Sequence, residues 1–207
     1  MPKIRIAVLV SGGGTNLQTL IDQIEKGTID GSLEVVISSK EDAFALERAH
    51  NHGIEGIYVG KKNFPNLKER NHKIIEILEK KKIDLIVLAG YMQIIDREIV
   101  ERYPNRIINI HPSLIPSFCG PGYYGERVHQ AVLDYGAKIT GATVHFVDEG
   151  TDTGPVILQK SVMVQEDDNE ETLAARVLEA EHELLPYAVK LFAEGKLRVE
   201  GRKVRIQ

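Results

Sequence analysis

A chain of 207 residues is long enough for one large domain, and its 43% hydrophobic content fills a core without any apolar run near the roughly 20 residues of a membrane-spanning helix. Lys plus Arg number 26 against 30 Asp plus Glu, a net charge of −4, which argues against nucleic acid as the partner because such binders carry a basic face. The single cysteine, Cys119, excludes an internal disulfide and a cysteine metal cluster.

The start, Met1-Pro2-Lys3-Ile4-Arg5, leads into a short apolar run that ends in Ser-Gly-Gly-Gly. It reads as a first buried strand and its turn, not as a signal peptide with a small-residue cleavage site, so a cytoplasmic location is expected. From there the chain alternates short apolar runs with longer helical stretches. Strands are expected at Ile4–Val10, Leu33–Ser38, Ile54–Val59, Asp84–Ala89 and Arg106–Ile110. Helices fall between them at Thr15–Lys26, around Asp42–His52, at Asn66–Lys82 and at Asp96–Tyr103. A loop with three prolines follows over Pro112–Gly125, then a helix around Glu126–Tyr135 and strands at Thr140–Val147 and Val156–Val164. A long helix covers Asn169–Ala193, and the tail Leu197–Ile206 reads as a hairpin. No repeat or linker divides residues 1–207, so the expectation is a single α/β domain. Its sheet should be twisted and mostly parallel, of about seven strands, with helices on both faces and a Rossmann-like N-terminal half.

Ser11-Gly12-Gly13-Gly14-Thr15-Asn16 closes the first strand and opens the first helix. Glycines let backbone approach a ligand closely, and the N–H groups of a helix start face an anion. The segment lacks the Gly-Lys-Ser/Thr of a Walker loop and the last glycine of the dinucleotide fingerprint. Phosphate binding is therefore one reading and a plain strand-to-helix turn the other.

Asn109 and His111 end a buried strand two residues apart, so both side chains share a face opposite to Ile108 and Ile110. A carboxamide beside an imidazole at a strand's carboxyl end suits acyl chemistry, one stabilising an oxyanion and the other moving protons. The alternative is a structural histidine that anchors the proline-rich loop. Of the other histidines, His50 and His52 should lie in solvent. His72, His129 and His182 lack metal-ligand spacing, and His145 sits in a strand where it can line the pocket from the side.

Asp148, Glu149 and Asp152 share one loop, and spacing does not say which of them, if any, serves His111. Glu181 falls on the apolar stripe Leu173, Val177, Leu184, Ala188, Phe192 of the long helix, at about 100° per residue. A carboxylate there needs a partner, either a ligand hydroxyl or a base such as Arg176. Cys119 is read as a small loop residue and not as a nucleophile. The acids of Glu166–Glu171 are expected to cap the long helix.

At these residues the chain resembles the folate-dependent phosphoribosylglycinamide formyltransferases. The likeness is strongest over Asn109-Ile110-His111-Pro112-Ser113-Leu114-Ile115-Pro116 and Asp152-Thr153-Gly154-Pro155-Val156-Ile157, with support from Ala43–Ala49 and Leu88–Met92. The resemblance implies the formyltransferase fold and Asn109, His111 and Asp152 as the catalytic trio. It places the ribonucleotide phosphate on Gly13, Gly14, Thr15 and Asn16, and the ribose on Glu181. Met92, Gln93, Ile94 and Ile95, with Asn109 and Lys68, would meet 10-formyltetrahydrofolate, and Val147–Asp152 would close the other side of the pterin. The implied partners are these two small molecules, in a monomer or homodimer that needs no metal, nucleic acid or membrane. Two positions depart from the family pattern: Gln93 stands where Arg is common, and Leu67, next to Lys68, where a basic residue often contacts the folate tail.

Two relatives share this chemistry. Methionyl-tRNA formyltransferases carry an added carboxyl-terminal domain, and formyltetrahydrofolate deformylases an added amino-terminal one, so the ribonucleotide enzyme is the expected match. A non-catalytic nucleotide-binding module is the alternative of a different class, but it needs no paired amide and imidazole.

Overall fold

The computed structural model describes residues 3–207; Met1 and Pro2, the start of the leader reading, lie outside the described residues. Two compact units, residues 1–108 and 109–207, divide the chain.

The first unit contains strands β1 (Ile4–Val10), β2 (Gly31–Ser38), β3 (Gly56–Tyr58) and β4 (Leu85–Leu88). Helices α1 (Thr15–Glu25), α2 (Phe44–Asn51), α3 (Leu67–Lys80) and α4 (Arg97–Arg102) alternate with them. The strand order is β3-β2-β1-β4, and every one of these pairings is parallel. Strands covered on both faces read as unbroken apolar runs, which is why Ile6–Val10 and Leu85–Leu88 are wholly buried. Right-handed crossovers place α1 and α2 on one face, because both carry the chain from β1 through β2 to β3. The connection from β3 back to β4 reverses direction, so α3 lies on the other face. This is the Rossmann-like half expected from the sequence.

Strand β5 (Ile107–His111) runs across the boundary between the units. The second unit then adds α5 (Glu126–Tyr135), β6 (Ile139–Phe146), β7 (Val156–Met163), α6 (Glu170–Ala193), β8 (Leu197–Glu200) and β9 (Lys203–Ile206). Here the order is β6-β7-β9-β8, with β6 and β7 antiparallel, β7 and β9 parallel, and β8 and β9 a hairpin. The nine strands among the described residues exceed the expected seven by this hairpin, expected at Leu197–Ile206, which here joins the sheet beside β7. Helix α6 packs on β6 and β7 and against α5.

Helix starts follow local chemistry. Asn66 and Asp96 cap α3 and α4 by accepting from Lys68 N and Glu98 N. The long helix α6 is capped by Asn169 in a reciprocal pair with Thr172, not by one of the acids around it. Asp168 instead accepts from Gln165 N and Thr172 Oγ1 and takes both prongs of Arg176 at 2.7 Å. An asparagine caps as well as an aspartate, so composition alone could not separate the cap from its neighbours.

Candidate active site

The glycine loop lies at the carboxyl end of β1. Gly14 occupies the N-cap of α1 at φ +71°, with no side-chain cap and no acid in the first turn. The helix start therefore offers backbone N–H groups to an anion without an internal competitor. Gly14 is required for two reasons: its φ, and a Cβ that would stand 2.7 Å from Ala45 Cβ. Arg48 braces the loop, donating from Nε to Gly13 O and from Nη1 to Gln18 while its guanidinium lies 4.9 Å above the Phe44 ring. Nothing in the sequence singled out Arg48, because its contact is to a backbone carbonyl. Ser11 Oγ accepts from Met92 N at 2.8 Å and bonds Ser39 Oγ.

That bond engages internally the Met92 N–H of the expected pterin segment. The segment is irregular, with Ile94 79% exposed. Met92 and Gln93 line a cavity of about 360 Å³. Lys68 lines a separate cavity of about 910 Å³ with Asp96 and His72, so the structure does not gather Lys68 with Met92 and Gln93 in one hollow.

In the second unit Asn109 and His111 sit on one face at the end of β5, as period two requires. His111 is buried, and its Nε2–H donates to Phe118 O at 2.9 Å. Its other nitrogen, Nδ1, is 3.5 Å from Asp152 Oδ2. His145, wholly buried on β6, donates from Nδ1 to its neighbour Phe146 O, which turns Nε2 inward. That Nε2 stands 3.1 Å from Asn109 Nδ2 and 3.7 Å from Asp152 Oδ1. Asp152 is thus bracketed by two imidazoles, with the Asn109 amide beside them.

Geometry settles which acid faces the histidine. Asp148 is spent on its own loop, accepting from Gly150 N and Thr153 Oγ1. Asp152, at φ +57°, turns inward and accepts from Gly120 N at 3.0 Å. Gly154 permits this, since a Cβ there would lie 1.8 Å from Phe146 O. His145 is the functional residue that sequence reasoning undervalued. The register of β6 against β7 shifts between Val144 and His145, and such a bulge re-aims a side chain in a way that period-two counting does not foresee.

Burial pushes the His111 imidazolium below the ordinary histidine range, outweighing Asp152 and the Phe118 carbonyl, which favour it. The ring is therefore neutral near pH 7, a base rather than a standing cation. Burial also pushes the Asp152 carboxyl up, but the His145 hydrogen bond, the His111 charge and the Gly120 N–H together hold it below the usual carboxylate value. The Cys119 thiol is pushed up by burial and by Asp152, the reverse of an activated nucleophile. His50 and His52 are both exposed as expected, and His52 bonds Glu25 and Gln18 at the surface. Glu181 is buried on the α6 stripe, and the Arg176 guanidinium is held by Asp168 and Met163 O. Among the described residues, no three His, Cys, Asp or Glu side chains gather as a metal-holding group, and no helix is long and apolar enough to cross a membrane.

A parallel half-sheet with a bare glycine helix start, and an amide, two imidazoles and a carboxylate at a strand end, define an acyl-transfer class, and the family model described as formyl transferase matches residues 4–189. The phosphoribosylglycinamide formyltransferase of Haemophilus influenzae is 41% identical over 196 residues, 95% of this chain and 90% of that one. The chain belongs to this family of formyl transferases. A glycinamide ribonucleotide transformylase from Symbiobacterium toebii superposes with a TM-score of 0.93 at 45% identity, covering 98% of this chain and 93% of that one. The chloroplastic phosphoribosylglycinamide formyltransferase of Vigna unguiculata is 38% identical over 93% of this chain, which spans 62% of that protein's length.

Proposed function

We propose that this chain is a cytoplasmic phosphoribosylglycinamide formyltransferase of purine synthesis, working as a single domain over residues 1–207. Its co-substrate is 10-formyltetrahydrofolate. The observation that carries the chemistry is Asp152 held between His111 and His145 beside Asn109.

The glycinamide amine attacks the formyl carbon, its lone pair forming the new C–N bond as the carbonyl pair moves onto oxygen. The Asn109 amide N–H meets that oxyanion. His111, neutral at the start, takes the proton that the attacking amine must lose, and Asp152 stabilises the imidazolium so formed. The bond from carbon to the folate nitrogen then breaks, and the proton is delivered to that nitrogen. Both nitrogens of His111 are occupied here, Nε2 by Phe118 O, so the ring serves substrate only after exchanging that backbone contact. The phosphate rests on Gly13, Gly14, Thr15 and Asn16, the ribose on Glu181, and the folate along Met92–Ile95 with Asn109 and Lys68.

The deciding assay offers 10-formyltetrahydrofolate with phosphoribosylglycinamide, water and initiator tRNA as competing acceptors. Formyl transfer to the ribonucleotide supports the reading. Release of formate without the ribonucleotide, or formylation of the tRNA alone, overturns it.

A further inference from the structure

Arg70, in the first turns of α3, is only 8% exposed. Its Nη1 donates to Phe64 O at 2.9 Å and to Pro65 O at 3.2 Å, which uses both hydrogens of that nitrogen. Nε–H and the two hydrogens of Nη2 find no acceptor among the described residues, and no carboxylate of those residues lies within ion-pair distance. A guanidinium has five donors and cannot shed its proton, so three donors and the charge are left to solvent, since none of these atoms is fully enclosed. Such a charge is costly to bury without a counter-charge.

The side chain lines the cavity of about 360 Å³ shared with Met92, Gln93 and Tyr58. That cavity lies just beyond Ser38 and Tyr58, the ends of parallel strands β2 and β3, where ligands of open α/β sheets sit. Neighbouring Tyr91 offers no negative charge, its phenol being pushed up to about 12 by burial despite Arg70. Of the remaining charged groups on the rim, Lys40 and Lys61 are basic and Glu41 and Asp42 acidic, with Glu41 already paired to Lys62.

We propose that the Nε and Nη2 edge of Arg70 forms an oxyanion site in this cavity, taking a carboxylate or phosphate group. Two neighbouring donors on a planar edge match two oxygens of such a group. The oxyanion comes either from the glutamyl end of a folate seated along Met92 and Gln93, a source that rests on the function proposed above, or from a free inorganic anion.

Folate, pteroate (which lacks the glutamyl group) and inorganic phosphate are the probes, titrated against the parent protein, Arg70→Met and Arg70→Lys. Calorimetry reads the first two and thermal melting in phosphate-free buffer the third. If the tail is the source, the parent binds folate about tenfold or more tighter than pteroate, and both variants lose most of that ratio while keeping pteroate affinity. Arg70→Lys keeps the charge and loses the paired edge, so it remains informative if Arg70→Met does not fold. If a free anion is the source, the folate-to-pteroate ratio is near one and phosphate raises the melting temperature of the parent more than that of the variants, which keep only the response of the glycine loop. An unchanged ratio and an unchanged phosphate response across all three proteins would overturn the site. Failure of both folate and pteroate to bind would sink the folate reading of the function instead, and the phosphate titration alone would then decide this one.

Discussion

Asp152 Oδ2 stands 3.5 Å from His111 Nδ1, on a residue held at φ +57°. Aspartate and asparagine both tolerate that left-handed backbone, so Asp152→Asn should preserve the loop while removing the charge. Asp152 is one of the influences that raise the His111 titration, against a net lowering by burial. In the variant the ring should titrate lower still, visible in NMR of its ring protons. Proton transfer steps contribute about 10²–10⁴-fold, and kcat should fall by that order with ribonucleotide binding largely kept. Turnover within a few-fold of the parent, or an unmoved His111, would show that the carboxylate does not act on the ring.

The glycine loop separates ligand approach from folding. A Cβ on Gly13 meets nothing within 4 Å, whereas one on Gly14 would strike Ala45 at a backbone of φ +71°. Gly13→Ala should therefore melt like the parent but bind the ribonucleotide more weakly, because a methyl group intrudes where phosphate meets backbone. Gly14→Ala should lose about 1–2 kcal/mol of stability from the left-handed backbone alone. Calorimetry and melting curves on both variants check this. Unchanged affinity in Gly13→Ala would place the phosphate elsewhere.

Asp168 titrates well below the ordinary carboxylate value, first because it accepts from Arg176 and then, against the cost of burial, from Gln165 N and Thr172 Oγ1. A folded pKa below the unfolded one means stability that is present above about pH 4 and lost as pH falls through the depressed value. Asp168→Asn should lower the melting temperature at pH 7, and the gap to the parent should shrink as the pH drops below about 4. A gap that stays constant from pH 7 down to pH 2 would assign the effect to shape rather than charge.

The sequence shows most of what repeats and little of what bends. Continuous apolar runs and helical stretches gave the strands and helices nearly to the residue, since Ile4–Val10 and Glu126–Tyr135 agree at both ends. Period two put Asn109 and His111 together, and the helical stripe put Glu181 inside. What stayed hidden depends on single backbone irregularities. The left-handed turn at Asp152 chooses among three acids, the register shift at His145 aims an imidazole, and the Asn169 cap frees Asp168 to hold Arg176. None of these has a period, and each arises from contacts between segments far apart in the chain. Arg70 belongs with them, because its burial without a counter-charge is a property of packing and not of spacing.

His145 supplies the sharpest test of the bracket around Asp152. It touches no reacting atom in the proposed chemistry; it positions Asn109 through Nε2 and helps hold the Asp152 carboxyl low. His145→Ala frees the Asn109 amide to rotate, so the oxyanion donor is loosened rather than removed. Outright loss of such a donor costs about 10²–10³-fold in kcat, and loosening it should cost between about tenfold and 10²-fold, with the ribonucleotide KM little changed. Removing the ring also leaves a void in a buried strand, so a melting curve must show that the variant is folded. His145→Gln fills more of that void, and its amide oxygen can accept from Asn109, so it should recover part of kcat. The second readout is the acid limb of the pH–rate profile. With one of its stabilising partners gone, the Asp152 carboxyl should titrate closer to the ordinary carboxylate range, and activity should be lost at a higher pH than in the parent. A folded His145→Ala with kcat within threefold of the parent and the same acid limb would reduce His145 to core filling.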